Sequence, residues 1–258
     1  LYDPRPLRRP RHRDDRLVAD DRQRSALAPG ARLVQADRAE PGAYVALLAR
    51  EWGDVVVISD DLGFVQSALD ALAARAAHWT LVSSVSVYAD DDVPHSDETA
   101  RLVEPVDLDD YAHAKVAAER ATQAAVGDRL LIARPGLIVG PGDGSGRFGY
   151  WPGRFVAAAG EGGPILVPDT RDRWSQVIDV RDLAEWIVDA GAAGRTGTVN
   201  AVGDEYPLGD VLELAAAASG FAGERVEASD TALVGAAVRY WAGPRSLPLW
   251  LPAEATGF

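Results

Sequence analysis

The 258-residue chain contains no cysteine and no methionine, position 1 included. The first absence excludes disulfides, thiol nucleophiles and cysteine-based zinc sites. The second leaves the chain without an ordinary translation start, so the expectation is a fragment of a longer gene product. No apolar run approaches the roughly 18–20 residues a membrane helix needs, and a cytoplasmic protein with no membrane partner is expected. Positive charge is short too: 26 Lys and Arg stand against 39 Asp and Glu, a net charge of −13. A nucleic-acid partner is therefore not expected, because phosphates are met by basic surfaces. The few histidines, His12, His78, His95 and His113, are scattered. None falls at ligand spacing with carboxylates on one face, so no metal site is expected. The glycine-rich run Pro141–Gly146 ends in Arg147-Phe148 rather than Lys-Ser/Thr, which rules out a phosphate-binding P-loop.

What is present reads as a soluble α/β chain, 47% hydrophobic and 25% charged, long enough for one large domain or a domain with a small lobe. Residues 1–16 are rich in Arg and Pro, and residues 1–30 are left unassigned, as a disordered start. From residue 31 the pattern alternates. Ala31–Asp37 reads as a strand. Val45, Leu48, Ala49 and Trp52 make a helical stripe closed by Gly53. Asp54–Ser59 is an apolar run expected to be buried on both faces. A helix from about Phe64 to Ala77 leads into a strand at Trp79–Ser84. Asp107–Asp110 offer caps for a helix to Val126, stopped by Gly127, and Leu130–Arg134 is the next strand. Val177–Asp179 leads into a helix striped by Leu183, Trp186, Ile187 and Ala190. Thr198–Val202 is a strand, and Val211, Leu214, Ala215 and Ala218 stripe a last helix before Gly220. Repeated β-α-β units with short turns imply a doubly wound parallel sheet.

Three segments carry chemistry: Ser83-Ser84-Val85-Ser86-Val87-Tyr88, Tyr111-Ala112-His113-Ala114-Lys115, and Arg134-Pro135-Gly136. A Tyr and a Lys four apart on a helix share a face, and an ammonium beside a phenol favours its ionised form. A hydroxyl from a nearby strand end completes a proton relay for carbonyl–alcohol chemistry. His113, about 200° round the helix from Tyr111, faces away. In open α/β sheets the ligand crevice lies beyond the carboxyl ends of strands, where these segments fall.

In this order the segments resemble the extended short-chain dehydrogenase/reductase superfamily, the NAD-dependent epimerase/dehydratase family. The resemblance covers residues from about 31 to 258. It implies a Rossmann-like, N-terminally incomplete sheet over 31–140 with 177–203, and a substrate lobe from 141–176 and 204–258. By resemblance Tyr111 is the acid/base, Lys115 binds the nicotinamide ribose and lowers the phenol's pKa, and Ser84 holds the substrate oxygen. Ser83 would instead satisfy a backbone group. Ser86 is a second candidate for substrate contact, and Tyr88 either lines the pocket or packs.

Pro135 and Gly136 would pass under the nicotinamide. Asp37 and Arg38 stand where the family meets the adenine, or form a solvated loop pair. Asp20-Asp21-Arg22 would end a second strand where an acid selects the ribose hydroxyl and an Arg accommodates a 2′-phosphate. Both charges are present, so NAD and NADP stay open. The stretch Gly146–Arg154 has two readings. Arg147, Trp151 and Arg154 contact an anionic or sugar-like substrate, or the aromatics are core and the arginines snorkel. Asp179-Val180-Arg181-Asp182 is expected to cap a helix.

The family's Gly-x-x-Gly-x-x-Gly turn does not occur before residue 60, and without it the pyrophosphate loses its main anchor. The expectation is an NAD(P)-dependent oxidoreductase or epimerase/dehydratase for a sugar-like carbonyl or alcohol, a nucleotide-sugar among the candidates, weakly active or inactive as given. A homodimer is the assembly the family commonly forms. The alternative is a non-catalytic member that uses the scaffold to bind a partner.

Overall fold

The computed structural model describes residues 15–18, 31–90, 92–93 and 95–251. In chain order the elements begin with strands β1 (Asp15–Val18), β2 (Arg32–Gln35) and β3 (Trp52–Val57), helix α1 (Leu62–Leu72) and β4 (Ala76–Val82). Helix α2 (Tyr111–Val126), β5 (Leu130–Pro135), β6 (Leu137–Val139), α3 (Tyr150–Glu161), β7 (Ile165–Pro168) and β8 (Trp174–Asp179) follow. The chain then forms α4 (Val180–Ala192), β9 (Gly197–Ala201), β10 (Glu205–Pro207), α5 (Leu208–Ala218), β11 (Arg225–Ala228) and α6 (Asp230–Gly235).

β3, β4, β5 and β9 form a four-stranded sheet in that order, and every pairing in it is parallel. Its two faces follow from the two-residue period of a strand. Trp79, Leu81 and Ile132 point to α1 and α2, where Val65, Leu69 and Ala118 meet them. Val82 and Ala133 point the other way, onto Leu183 and Ile187 of α4. The family of parallel strands with helices on both faces is the Rossmann-like arrangement expected. β1 pairs in parallel with β2 as a separate ribbon, which adds a strand to the stretch left unassigned from sequence.

The helix termini follow their capping residues. Asp61 accepts the Phe64 amide at 3.0 Å at the start of α1. Asp110 accepts the amides of Ala112 and His113 at 2.9 and 3.2 Å at the start of α2. Gly127 ends α2 with φ 59°, a conformation that favours glycine. Both ends of α2 therefore fall where the sequence expected them.

A second core lies in the C-terminal part, where α3, α5, β7 and α6 gather Trp151, Phe155, Ile165, Leu208, Leu212, Leu233 and Trp250. β8 joins β10 and β6 in a three-stranded sheet. One contact there demands glycine: a Cβ at Gly203 would fall 2.0 Å from the Val177 carbonyl oxygen.

Four sequence expectations are corrected. The Val45–Trp52 stripe is not a helix. Only Val45–Leu47 makes a 3-10 turn, because Trp52 starts β3 opposite Ala76 and its indole N–H donates to the Leu47 carbonyl at 3.1 Å. Gly53 is thus inside a strand. The β3 run is not covered on both faces: it is the edge of its sheet among the described residues, and Val56 and Ile58 are exposed. Ala76 and Ala77 belong to β4 rather than to the preceding helix. Finally, α5 buries Leu208, Leu212, Ala215 and Ala216, whereas Leu214 is exposed. The core lies about 100° round the helix from the face expected.

Candidate active site

The Asp110 cap puts Tyr111 in the first turn of α2, and Lys115 follows one turn later on the same face. Lys115 is 3% exposed. Its Nζ donates to the Ser59 carbonyl at 3.2 Å and to the Val82 carbonyl at 2.9 Å. Val82 ends β4 and Ser59 lies two residues beyond the end of its parallel neighbour β3, so this face of α2 lies over the strand-end crevice. The Nζ also lies 5.7 Å from the Tyr111 ring centroid. An ammonium has three donors, and two are used by these carbonyls.

β4 ends at Val82, and Ser84, in extended conformation, opens a 3-10 turn over Val85–Val87. Its Oγ accepts the Ser86 amide at 3.1 Å and its hydroxyl donates to the exposed Ser86 Oγ at 3.1 Å. The expectation for Ser83 is corrected: it satisfies no backbone group among the described residues. Ser84 caps the turn, while the buried Ser83 Oγ has no partner among the described residues.

Burial pushes the Tyr111 phenol up from its ordinary value; the Ser84 hydroxyl draws it down, the Asp60 carboxylate adds to the rise, and the Arg147 guanidinium opposes it. The ring itself is half-exposed. The Lys115 ammonium faces two backbone carbonyls, and burial makes the phenol's net direction upward. Lys115 is itself pushed down by burial, against the pull of Asp60 and Glu119.

The other sequence candidates divide. Arg147 comes to the site, acting on Tyr111 with its guanidinium 5.6 Å from the Trp241 ring centroid. Trp151 does not. It is 2% exposed, its indole N–H donates to the Pro248 carbonyl at 2.8 Å, and it packs within the second core. A helix, α3, forms across this stretch and turns Trp151 inward while Arg154 stays on its exposed surface. Tyr88 is also turned inward. It is buried, donates to Asn200 Oδ1 at 2.6 Å and accepts Arg134 Nη1 at 3.0 Å, so its hydroxyl serves packing rather than a pocket wall. Pro135 lies opposite Ala201 at the end of β5. A Cβ at Gly136 would meet Val202 at 3.3 Å.

Asp37 Oδ1 accepts the Ala39 amide at 2.9 Å in an exposed turn, and Arg38 stacks 4.5 Å from the Phe64 ring centroid. Arg22 lies outside the described residues. Asp179 caps α4 through the Arg181 amide at 2.8 Å. Hydrogen bonds donated by the Arg181 side chain first, and by its backbone amide second, lower the carboxyl's pKa to about 2. The His113 ring accepts the Asp107 amide at 3.1 Å. Among the described residues no group of three His, Asp or Glu could hold a metal, and no helix is long and apolar enough to cross a membrane.

Sequence reasoning missed three participants. Asp60 follows the strand-end Ser59 and Trp241 comes from the C-terminal part; neither carries a local signal. Glu119 did carry one, four residues beyond Lys115 on the same stripe. Its carboxylate accepts Arg134 Nε at 3.0 Å and Nη2 at 2.7 Å, with both side chains 5% exposed.

A sequence model described as the NAD dependent epimerase/dehydratase family matches residues 16–203. No curated protein matches the chain. Solved structures share the fold. One is RMD from Pseudomonas aeruginosa complexed with NADPH, with TM-score 0.60 and 21% identity over 80% of this chain and 81% of that one. Another is UDP-N-acetylglucosamine 4-epimerase from Bacillus cereus, with TM-score 0.63 and 14% identity over 84% and 79%. A third is the Bordetella bronchiseptica enzyme WbmH in complex with NAD+, with TM-score 0.60 and 18% identity over 83% and 76%.

Proposed function

The chain belongs to the NAD dependent epimerase/dehydratase family, and within it we propose an NAD(P)-dependent oxidoreductase, epimerase or dehydratase acting on a sugar-like carbonyl or alcohol. The observation that carries this reading is the meeting of Tyr111, Lys115 and Ser84. The first two share one face of α2 above strand-end carbonyls, and the Ser84 hydroxyl acts on the phenol.

The residues at the crevice fit a dinucleotide's ribose. Ser83 presents a buried hydroxyl without a partner among the described residues, and Lys115 keeps one ammonium donor beyond its two carbonyls. Lys115, Tyr111, Pro135 and Gly136 would hold the nicotinamide end. Asp37, Arg38 and Arg22 would meet the adenosine end. The bound nicotinamide supplies hydride transfer to or from a substrate carbon. Nucleotide-bearing and sugar-nucleotide proteins of the same fold support the cofactor and the substrate class.

The chain's own residues handle the proton. In the reducing direction the Tyr111 phenol donates its proton to the developing alkoxide oxygen, and in the oxidising direction the phenolate takes it back. The raised phenol keeps this donor protonated around neutral pH. Turned away from Ser86 Oγ, the one Ser84 O–H would donate to the same oxygen and orient the carbonyl toward Tyr111. Arg147, carried on the Trp241 ring, would receive an anionic part of the substrate, a bidentate partner for carboxylate or phosphate. In this reading residues 31–140 with 177–203 form the cofactor unit, and 141–176 with 204–258 the substrate lobe.

The test is a fluorescence titration of the 258-residue chain with NADH and with NADPH. Saturable binding of either, weakened by Lys115→Met, is expected. A chain that is folded by circular dichroism and binds neither overturns the cofactor reading.

A further inference from the structure

Glu119 stands two turns beyond Tyr111 and one beyond Lys115 on the same stripe of α2. It meets Arg134 of β5 through a bidentate fork. The remaining Arg134 nitrogen, Nη1, donates to the Tyr88 hydroxyl at 3.0 Å and to the Glu98 carbonyl at 3.4 Å. The Tyr88 O–H donates to Asn200 Oδ1 at 2.6 Å, and the Asn200 backbone N–H donates to Glu98 Oε1 at 2.7 Å. Asn200 is the register partner of Arg134 across β5 and β9. Tyr88, in turn, closes the 3-10 turn that Ser84 opens. One network, buried at Glu119, Arg134 and Tyr88, thus joins the helix carrying Tyr111, the strand leading to Pro135, and the turn beginning at Ser84.

A buried ion pair is a poor way to gain stability alone. Desolvating two charges offsets most of their attraction, and apolar side chains of similar size would serve as well. What the pair does supply is geometry. A planar guanidinium on a carboxylate fixes both separation and rotation, which a greasy contact between helix and strand does not. On the reading that Ser84 and Tyr111 form the reacting centre, we infer that Glu119 and Arg134 are positioning residues: together with Tyr88 they set the approach of the Ser84 hydroxyl to the Tyr111 phenol. They touch neither substrate nor cofactor themselves.

The test uses the double variant Glu119→Leu/Arg134→Met, which removes both charges together and leaves the net charge unchanged, with the conservative Glu119→Gln beside it. Two readouts are taken. The first needs no turnover: 13C-tyrosine NMR follows the Tyr111 phenol through its titration, assigned with Tyr111→Phe. Ser84 draws that phenol down. Slackening the brace therefore raises it as Ser84→Ala does, and adding Ser84→Ala to the double variant raises it no further. The second readout is kinetic: kcat falls about tenfold or more while KM changes little, the mark of lost transition-state alignment.

A double variant that folds and leaves the Tyr111 titration where it is in the parent chain overturns the inference. Should the double variant not fold, Glu119→Gln, which breaks the charged fork at nearly constant size, decides by the same titration: a raised phenol supports the inference and an unmoved one overturns it. A phenol that moves in a parent chain without turnover would support the brace and count against the proposed reaction.

Discussion

Lys115 holds its ammonium nitrogen 5.7 Å from the centroid of the Tyr111 ring while giving two of its donors to the Ser59 and Val82 carbonyls. The shared helix face, which the four-residue spacing implied, is real. The phenol's net direction is set by burial. A buried cation satisfied by two backbone dipoles is held as a fixed post at the strand ends, and the phenol takes its proton affinity from burial, Ser84, Asp60 and Arg147.

Replacing Tyr111 with Phe removes the proton carrier and leaves the aromatic ring beside Lys115. Turnover with any accepted substrate should fall about 100-fold or more, with NADH or NADPH affinity nearly unchanged. Steady-state rates paired with a fluorescence titration check this, and retained turnover would sink the role given to Tyr111.

The charges facing Tyr111 predict opposite pH shifts. Asp60 raises the phenol and Arg147 lowers it. Carbonyl reduction needs the protonated phenol, so its rate declines as pH rises through the phenol's pKa. Asp60→Asn removes a raising charge and moves that decline to lower pH; Arg147→Gln moves it to higher pH. Rate profiles for the two variants on one substrate test the signs, and displacement in the same direction would contradict the site's electrostatics.

Glu119→Ala leaves the Arg134 guanidinium buried without its carboxylate. Breaking a buried pair from one side costs about 3–5 kcal/mol, to be read from urea unfolding. A cost near that of a surface pair, below about 1 kcal/mol, would mean that water reaches the guanidinium.

Gly203 should tolerate no side chain. Its Cβ would lie 2.0 Å from the Val177 carbonyl oxygen, whereas a Cβ at Gly144 meets nothing within 4 Å. Gly203→Ala is expected to cost about 1–3 kcal/mol through forced backbone displacement, and Gly144→Ala close to nothing. Equal unfolding midpoints for the two variants would rule out the close approach.

Features that depend on neighbours along the chain are legible in the residues alone. The β-α alternation, the Asp110 cap and Gly127 stop of α2, and the Tyr111–Lys115 spacing are set by local periodicity and backbone preference, and all are visible in a window of a turn or two. Which faces are covered and which charges meet is settled only by packing. Trp52 joined a strand because β4 offered it a partner. Leu214 was left outside because the lobe core lies against Leu208, Leu212 and Ala215. Trp151 was taken inward by α3. The direction of the Tyr111 phenol and the Arg134–Glu119 fork belong to this second kind. Burial, and with it the strength of every charge, is a property of segments far apart in sequence that only folding brings together.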